Sequence, residues 1–220
     1  MIPFLPALHF SSVAARCGLV FALLALGAFA APTGRQIKIE AIAQPDPAGR
    51  EFLSYEIRAA PSSRDDQPRD AEQAVAFIRT ALSGRGLYAA PAGVTPDLTI
   101  EIDCGVGSAR SEIRSRSTPV TPHPSYGLTP AIKPVTFVRT DYRVSVRLKY
   151  ITVTAHPHGT PGTVWRVQAA IDDETAELAP CLPFLAAAVM NHAGHDTRGT
   201  RTMTLSERDV DVAFINEGLP

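Results

Sequence analysis

The residues of this 220-residue chain able to do chemistry are histidine pairs, an acidic run, two cysteines and a group of arginines. His156 and His158 lie two apart, and on a strand that spacing puts both imidazoles on one side. His192 and His195, with Asp196, sit at the end of an apolar segment, three and four apart. Zinc sites draw three or four such ligands together. Here the first pair flanks a proline in a glycine-rich turn, the second adjoins Gly194, and neither spacing supplies a third ligand, so no metal site is assigned. The run Asp172-Asp-Glu-Thr-Ala-Glu177 offers carboxylates for acid–base work or for calcium. It lacks the alternating oxygen spacing of a calcium loop, and acids placed before a helix commonly just favour its positive end.

Gly105-Val-Gly-Ser-Ala-Arg110 follows a predicted strand and mimics the start of a dinucleotide fingerprint. The third glycine position is Arg110, and no helix is predicted to follow and face a pyrophosphate, so no cofactor is assigned. No Gly-x-Ser-x-Gly elbow occurs, and no catalytic residue is assigned. Cys104 and Cys181 could close a disulfide across a loop of nearly eighty residues, or remain two buried thiols. Arg110, Arg114, Arg116 and Lys133, against Glu112, give a local excess of positive charge that could contact an anion or an acidic partner. The alternative is a solvated insert.

The elements that must position these groups begin after residue 30. Arg16, the apolar stretch Cys17–Ala30 and its Ala-Phe-Ala ending have the layout of a cleaved signal peptide, and the run is too short to span a bilayer. The expectation is therefore a chain that is exported, periplasmic or secreted, without a stable membrane span after cleavage. A formal net charge of −1 leaves no overall field for nucleic acid. Residues 31–220 read as one domain.

Residues 37–43 and 52–59 read as strands joined by a turn. Pro61–Arg69 reads as a charged loop, and Ala71–Leu82 as an amphipathic helix opened by Asp70 and Gln73. Leu98–Asp103 alternates as a half-buried strand. From Gly105 to Pro134 prolines, serines and arginines dominate, which predicts a long loop. Tyr142, Val144, Val146, Leu148 and Tyr150 then alternate with Arg143, Ser145, Arg147 and Lys149. The apolar phase shifts to Ile151 and Val153, which predicts a bulge near Lys149–Ile151. Trp165–Ile171 is the returning strand and Pro183–Ala193 an apolar helix. Its Ala186–Ala188 face is small enough for close approach by a second copy. A short strand over 200–205 and a last helix bearing Val210, Phe214 and Ile215 end the chain. The fold class expected is α+β, a mostly antiparallel sheet with two or three helices packed on one face.

Two stretches carry a family resemblance. Ala71-Glu-Gln-Ala-Val-Ala-Phe-Ile-Arg-Thr-Ala-Leu-Ser-Gly-Arg-Gly-Leu-Tyr, followed by Pro96-Asp-Leu-Thr-Ile-Glu-Ile, resembles the helix, glycine–aromatic and Pro-Asp strand signature of the exported bacterial proteins grouped as domain of unknown function 4136. Val164-Trp165-Arg-Val, with the acidic turn and the Leu182–His192 helix, is similar to that family's later strand and helix. The resemblance covers about half of the chain after residue 30. It implies an α+β envelope domain with no established activity, and it does not explain the Pro/Ser/Arg insert. Relatives that are lipoproteins carry a lipid-attachment cysteine, which this chain lacks. The function expected is thus a non-enzymatic binding or structural role in the cell envelope, with another envelope protein or an anionic envelope polymer as partner. The alternative is a small periplasmic hydrolase using residues 172–177 and nearby histidines.

Overall fold

Alternation of apolar and polar side chains builds the middle of the sheet. Leu98, Ile100, Ile102 and Cys104 are buried in β4 (Leu98–Val120), and Ile151, Val153 and Ala155 in β5 (Thr136–Pro157). Trp165, Val167, Ala169 and Ile171 are buried in β6 (Trp165–Asp173), and Ile37, Ile39 and Ala41 in β1 (Arg35–Ala43). Register aligns them into rows: Ile102 pairs with Val153, Val153 with Val167, and Val167 with Ala41. The structure is a computed structural model that describes residues 34–44, 51–120 and 136–218, with 64 and 65 described by their backbone alone. The signal-peptide expectation and Lys133 lie outside the described residues.

The sheet has seven strands in the order β3-β2-β4-β5-β6-β1-β7, where β2 is Ser54–Ala59, β3 is Tyr88–Ala89 and β7 is Arg201–Leu205. This corrects the fold class expected. The sheet is mixed, because β2 runs parallel to both β3 and β4, and it dominates the domain alongside four short helices. Nearness in sequence misleads here. β1 and β2 are separated by β4, β5 and β6, and the connection from β2 to β4 is a helical crossover, which parallel pairing requires.

The crossover contains α1 (Pro61–Asp66) and α2 (Pro68–Ser83). The stretch expected as a charged loop is thus helical. Pro61 and Pro68 each open a helix, where a missing N–H costs nothing and φ is already set. The start at Pro68 also precedes the predicted Asp70 cap, which sits in the first turn. Ala71, Ala74, Phe77, Ile78, Ala81 and Leu82 form the buried stripe of α2. The apolar segment α3 (Leu182–His192) is buried from Leu182 to Met190, packed on β1, β5 and β6 and against α2 and α4 (Val210–Glu217). A helix that is apolar all round needs such a site. Ala186, Ala187 and Ala188 are fully buried in that core, so their face is not open to a second copy. In α4 the buried residues are Val212 and Ile215, while Val210 is 80% exposed.

The opposite face of the sheet carries Lys38, Glu40, Glu101, Arg166 and Gln168. The signature Pro-Asp pair has a structural task at its edge. Asp97 accepts hydrogen bonds from Leu53 N (3.1 Å), Ser54 N (2.8 Å) and Ser54 Oγ (2.7 Å), tying the entry of β4 to the start of β2. Those Ser54 and Leu53 donors hold its carboxyl below the usual carboxylate range.

Candidate functional site

The acidic run, Cys181, Arg110 and Arg114 come together where β4 and β5 leave the sheet. The segment expected as a loop over 105–134 is strand as far as Val120. It pairs antiparallel with Thr136 onward, and residues 121–135 lie outside the described residues. A strong partner strand overrides the weak local preference of this Ser/Arg-rich sequence. Proline is tolerated at Pro119 because β2 reaches only to Ile102, so that stretch of β4 is an edge.

The predicted bulge exists, but on the neighbouring strand. Val106 pairs with Lys149 and Ala109 with Arg147, so β4 carries the extra residue at Gly107–Ser108, while β5 stays regular against β6. Gly105 and Gly107 serve this geometry. A Cβ on Gly105 would lie 3.0 Å from Tyr150 Oη, and on Gly107 3.4 Å from the Leu148 carbonyl oxygen. Gly105 thus leaves room for the end of the Tyr150 side chain, Gly107 is in ordinary contact with Leu148, and a strand, not a helix, follows them.

Because β5 is regular, Lys149 shares a face with Ile151 and Val153, and it is fully buried. Its Nζ donates to Thr175 Oγ1 at 2.5 Å and lies 3.6 Å from Asp173 Oδ2 and 3.6 Å from Cys181 Sγ. Arg35 of β1 pairs with the same Asp173 oxygen, donates to Cys181 Sγ at 3.3 Å, and stacks over the Phe184 ring at 5.1 Å. Cys181 Sγ–H donates to Asp173 Oδ2 at 3.3 Å, and Thr175 N and Oγ1 donate to Asp173 Oδ1 at 2.9 and 3.1 Å. Burial pushes the Asp173 carboxyl up, but the Thr175 N–H, Arg35, the thiol and Lys149 together outweigh it and hold it well below the usual range.

Asp172 projects to the other face. Its Oδ2 accepts from Lys38 at 3.1 Å and Arg110 at 2.7 Å, while its buried Oδ1 has no hydrogen-bond partner among the described residues. Burial raises this carboxyl too, and Arg110 and Lys38 bring it below its ordinary value. Beyond it, Arg114 donates to Glu174 Oε1 at 2.6 Å, and Glu112 accepts from Arg110 at 2.9 Å. Two adjacent carboxylates thus bind cationic groups on opposite faces of the sheet, and together they fasten β1, β4, β5 and α3 to the end of β6.

This arrangement fits fastening better than catalysis. Cys181 is fully buried, and burial with the Asp173 hydrogen bond raises its thiol against the opposing pull of Lys149 and Arg35, the reverse of nucleophile activation. Burial pushes the Cys104 thiol up to about 11, despite the hydrogen bond with Ser63. Both cysteines are free. Cys104 faces the core from β4, opposite Ile151, whereas Cys181 precedes α3 beside Lys149.

The histidines are placed elsewhere. Nδ1 of His156 lies 2.6 Å from the Gly162 carbonyl oxygen, and Nδ1 of His158 lies 3.3 Å from Thr99 Oγ1. Nδ1 of His192 and of His195 lie 2.9 and 3.0 Å from the carbonyl oxygens of Ala188 and Ala193. Among the described residues no three metal-ligating side chains group together, and no histidine bonds Asp172 or Asp173. Of the basic residues proposed for anion or partner contact, Arg110 and Arg114 are engaged by the acidic turn, and Arg116 is exposed on β4.

The Lys149 cluster is what the residue pattern leaves unmarked, since Lys149 reads there as a solvent-side residue. The signal is the phase shift itself. Extended back from Ile151 and Val153, the new phase places Lys149 inside, and Asp173 supplies the anion on the adjacent strand.

Distal to the root, the ribbon of Ala109–Val120 and Thr136–Val146 is exposed on both faces for most of its length. Ile113 (71%), Phe137 (64%), Val138, Val120 and Tyr142 are open to solvent.

No protein-family model matches the chain, and no curated protein matches it. Among solved structures it is similar to a PDZ domain protein from Parabacteroides distasonis, at 10% identity over 86% of this chain and 42% of that one, with a TM-score of 0.41. It is also similar to the PelC dodecamer from Paraburkholderia phytofirmans, at 10% identity over 70% of this chain and 94% of that one, with a TM-score of 0.38. The chain spans less than half of the length of the first of these. Likeness at this level does not define a shared fold. Among the described residues no helix is long and apolar enough to cross a membrane.

Proposed function

We propose that the chain is an exported, non-enzymatic binding or structural component of the cell envelope, and that the ribbon is the part it presents to a partner. The observation that carries this reading is the ribbon's exposure. Among the described residues nothing covers Ile113 and Phe137 on one face, or Tyr142, Val138 and Val120 on the other. An isolated two-stranded ribbon is marginal in water, so a third strand or a packed surface would stabilise it. The leader-like residues 17–30 and the resemblance to the 4136 group support an envelope location. The hydrolase alternative has no comparable support, because Asp172 and Asp173 are taken up by Arg35, Lys38, Arg110 and Lys149.

Replacing residues 112–144 by a short Asn-Gly turn, which keeps Arg110 on Asp172 and the buried Val146, tests it. The trimmed protein should stay folded by circular dichroism and should still lose its crosslinked adducts in the envelope fraction of cells. Retention of the same adducts, or recovery of the intact chain from Met1 in the cytosol, would contradict the reading.

A further inference from the structure

The two long edges of the ribbon differ. The outer edge of β4 is interrupted by the Gly107–Ser108 bulge and by Pro119, both of which discourage strand pairing. The outer edge of β5 has neither. Pairing with β6 stops at Arg147, so among the described residues Thr136–Val146 has no strand on that side, and this stretch contains no proline and no glycine. Such an edge is a template for another strand.

We propose that this edge pairs antiparallel with the same edge of a second copy about a two-fold axis at Thr140. The proposal rests on reading the ribbon as a binding element and names its partner. An isologous contact must be self-complementary, and the sequence about Thr140 is. In that register Arg139 faces Asp141 of the mate, and the symmetry repeats the pair. Val138 faces Tyr142, Phe137 faces Arg143, Thr136 faces Val144, and Thr140 faces itself.

Opposite charges, an aromatic against a β-branched residue, and Thr against Thr are the cross-strand pairs that stabilise a sheet. An arginine over a phenylalanine ring adds a cation–π contact. Moving the axis by one residue, to Asp141, would set Asp141 against itself and Arg139 against Arg143. Phe137 is 64% exposed, Val138 49% and Tyr142 45% in the single chain, and Arg139 and Asp141, which meet each other at 3.4 Å and share Ser115, are exposed as well and would exchange that contact for the mate's. Two ribbons would become four continuous strands.

The test is the mass of the full chain as produced in cells, measured by sedimentation equilibrium over a dilution series, with variants that address the register. The wild type should be a dimer that dissociates on dilution. D141R sets arginine against arginine twice and should raise the dissociation constant on the order of tenfold or more. The double variant R139D/D141R restores opposite charges at both positions and should recover most of that loss. T140C should form a covalent dimer on oxidation, because paired strands bring the two Cα atoms within disulfide range. S117C, on the other strand, should not. A wild type that stays monomeric at every concentration, a dimer insensitive to D141R, or a double variant no better than the single one overturns the proposal. A monomeric wild type that still loses its envelope adducts when the ribbon is removed would overturn self-pairing while keeping the binding role.

Discussion

The hairpin of β4 and β5 is one continuous ladder with two different halves. In the inner half, Leu98–Val106 against Lys149–Pro157, the side chains facing the helices are almost wholly buried. In the outer half, Ala109–Val120 against Thr136–Ser145, nearly every side chain meets water, although Tyr142 and Val144 continue the alternation that Val146 begins at the buried root. Alternation therefore specifies a face and says nothing of what covers it. Burial comes from β2, β6 and the helices, which stop at the root. Where they stop, the ion-pair cluster begins.

The sharpest way to break this comparison is to remove the anion at the boundary. Asp173→Ala leaves Lys149 buried without its counter-ion and should destabilise the domain by about 3–5 kcal/mol in chemical denaturation. A loss below about 1 kcal/mol would show that Lys149 does not depend on it. Replacing Lys149 and Asp173 together by Met and Leu should cost far less than the single change, since a well-packed apolar pair leaves no charge unpaired.

A pH titration sharpens the same point. The Asp173 carboxyl is held below its unfolded value, so its contribution is complete above about pH 4 and is lost as the pH falls towards the folded value. Asp173→Asn should flatten that acid limb in thermal melts at successive pH values. An unchanged limb would assign it to other carboxylates.

A matched pair of mild changes compares the two halves directly. Ile151→Val, in the inner half, should cost about 1 kcal/mol. Ile113→Val, in the outer half, should fall within about 0.5 kcal/mol of zero in the monomer. Equal effects would mean that the outer half is packed after all.

Much of the inner half was legible in the sequence: the strands about Leu98, Ile151 and Trp165, the buried helix 182–192, and the final strand and helix all lie close to where periodicity puts them. The outer half was not, because Ser111–Thr118 has too few apolar residues to announce a strand and takes its conformation from the partner at 136–145. The mixed sheet is not legible in the sequence because β1 and β2, consecutive in the chain, are not neighbours in the sheet, and a two-proline crossover looks like a loop. The acidic run was noticed as candidate chemistry. Its fastening role follows from the phase of Ile151 and Val153, which places Lys149 on the buried face of a regular β5.

The first strand of the domain lies between β6 and β7, among the last elements to be made. A chain emerging in order from a ribosome or through a membrane pore cannot close that seam until Arg201–Leu205 has arrived, and such distant pairings make folding slow. Until Trp165–Asp173 has been made, Ile37 and Ile39 have no partner strand in the sheet, so premature folding of the leading end is disfavoured by topology alone.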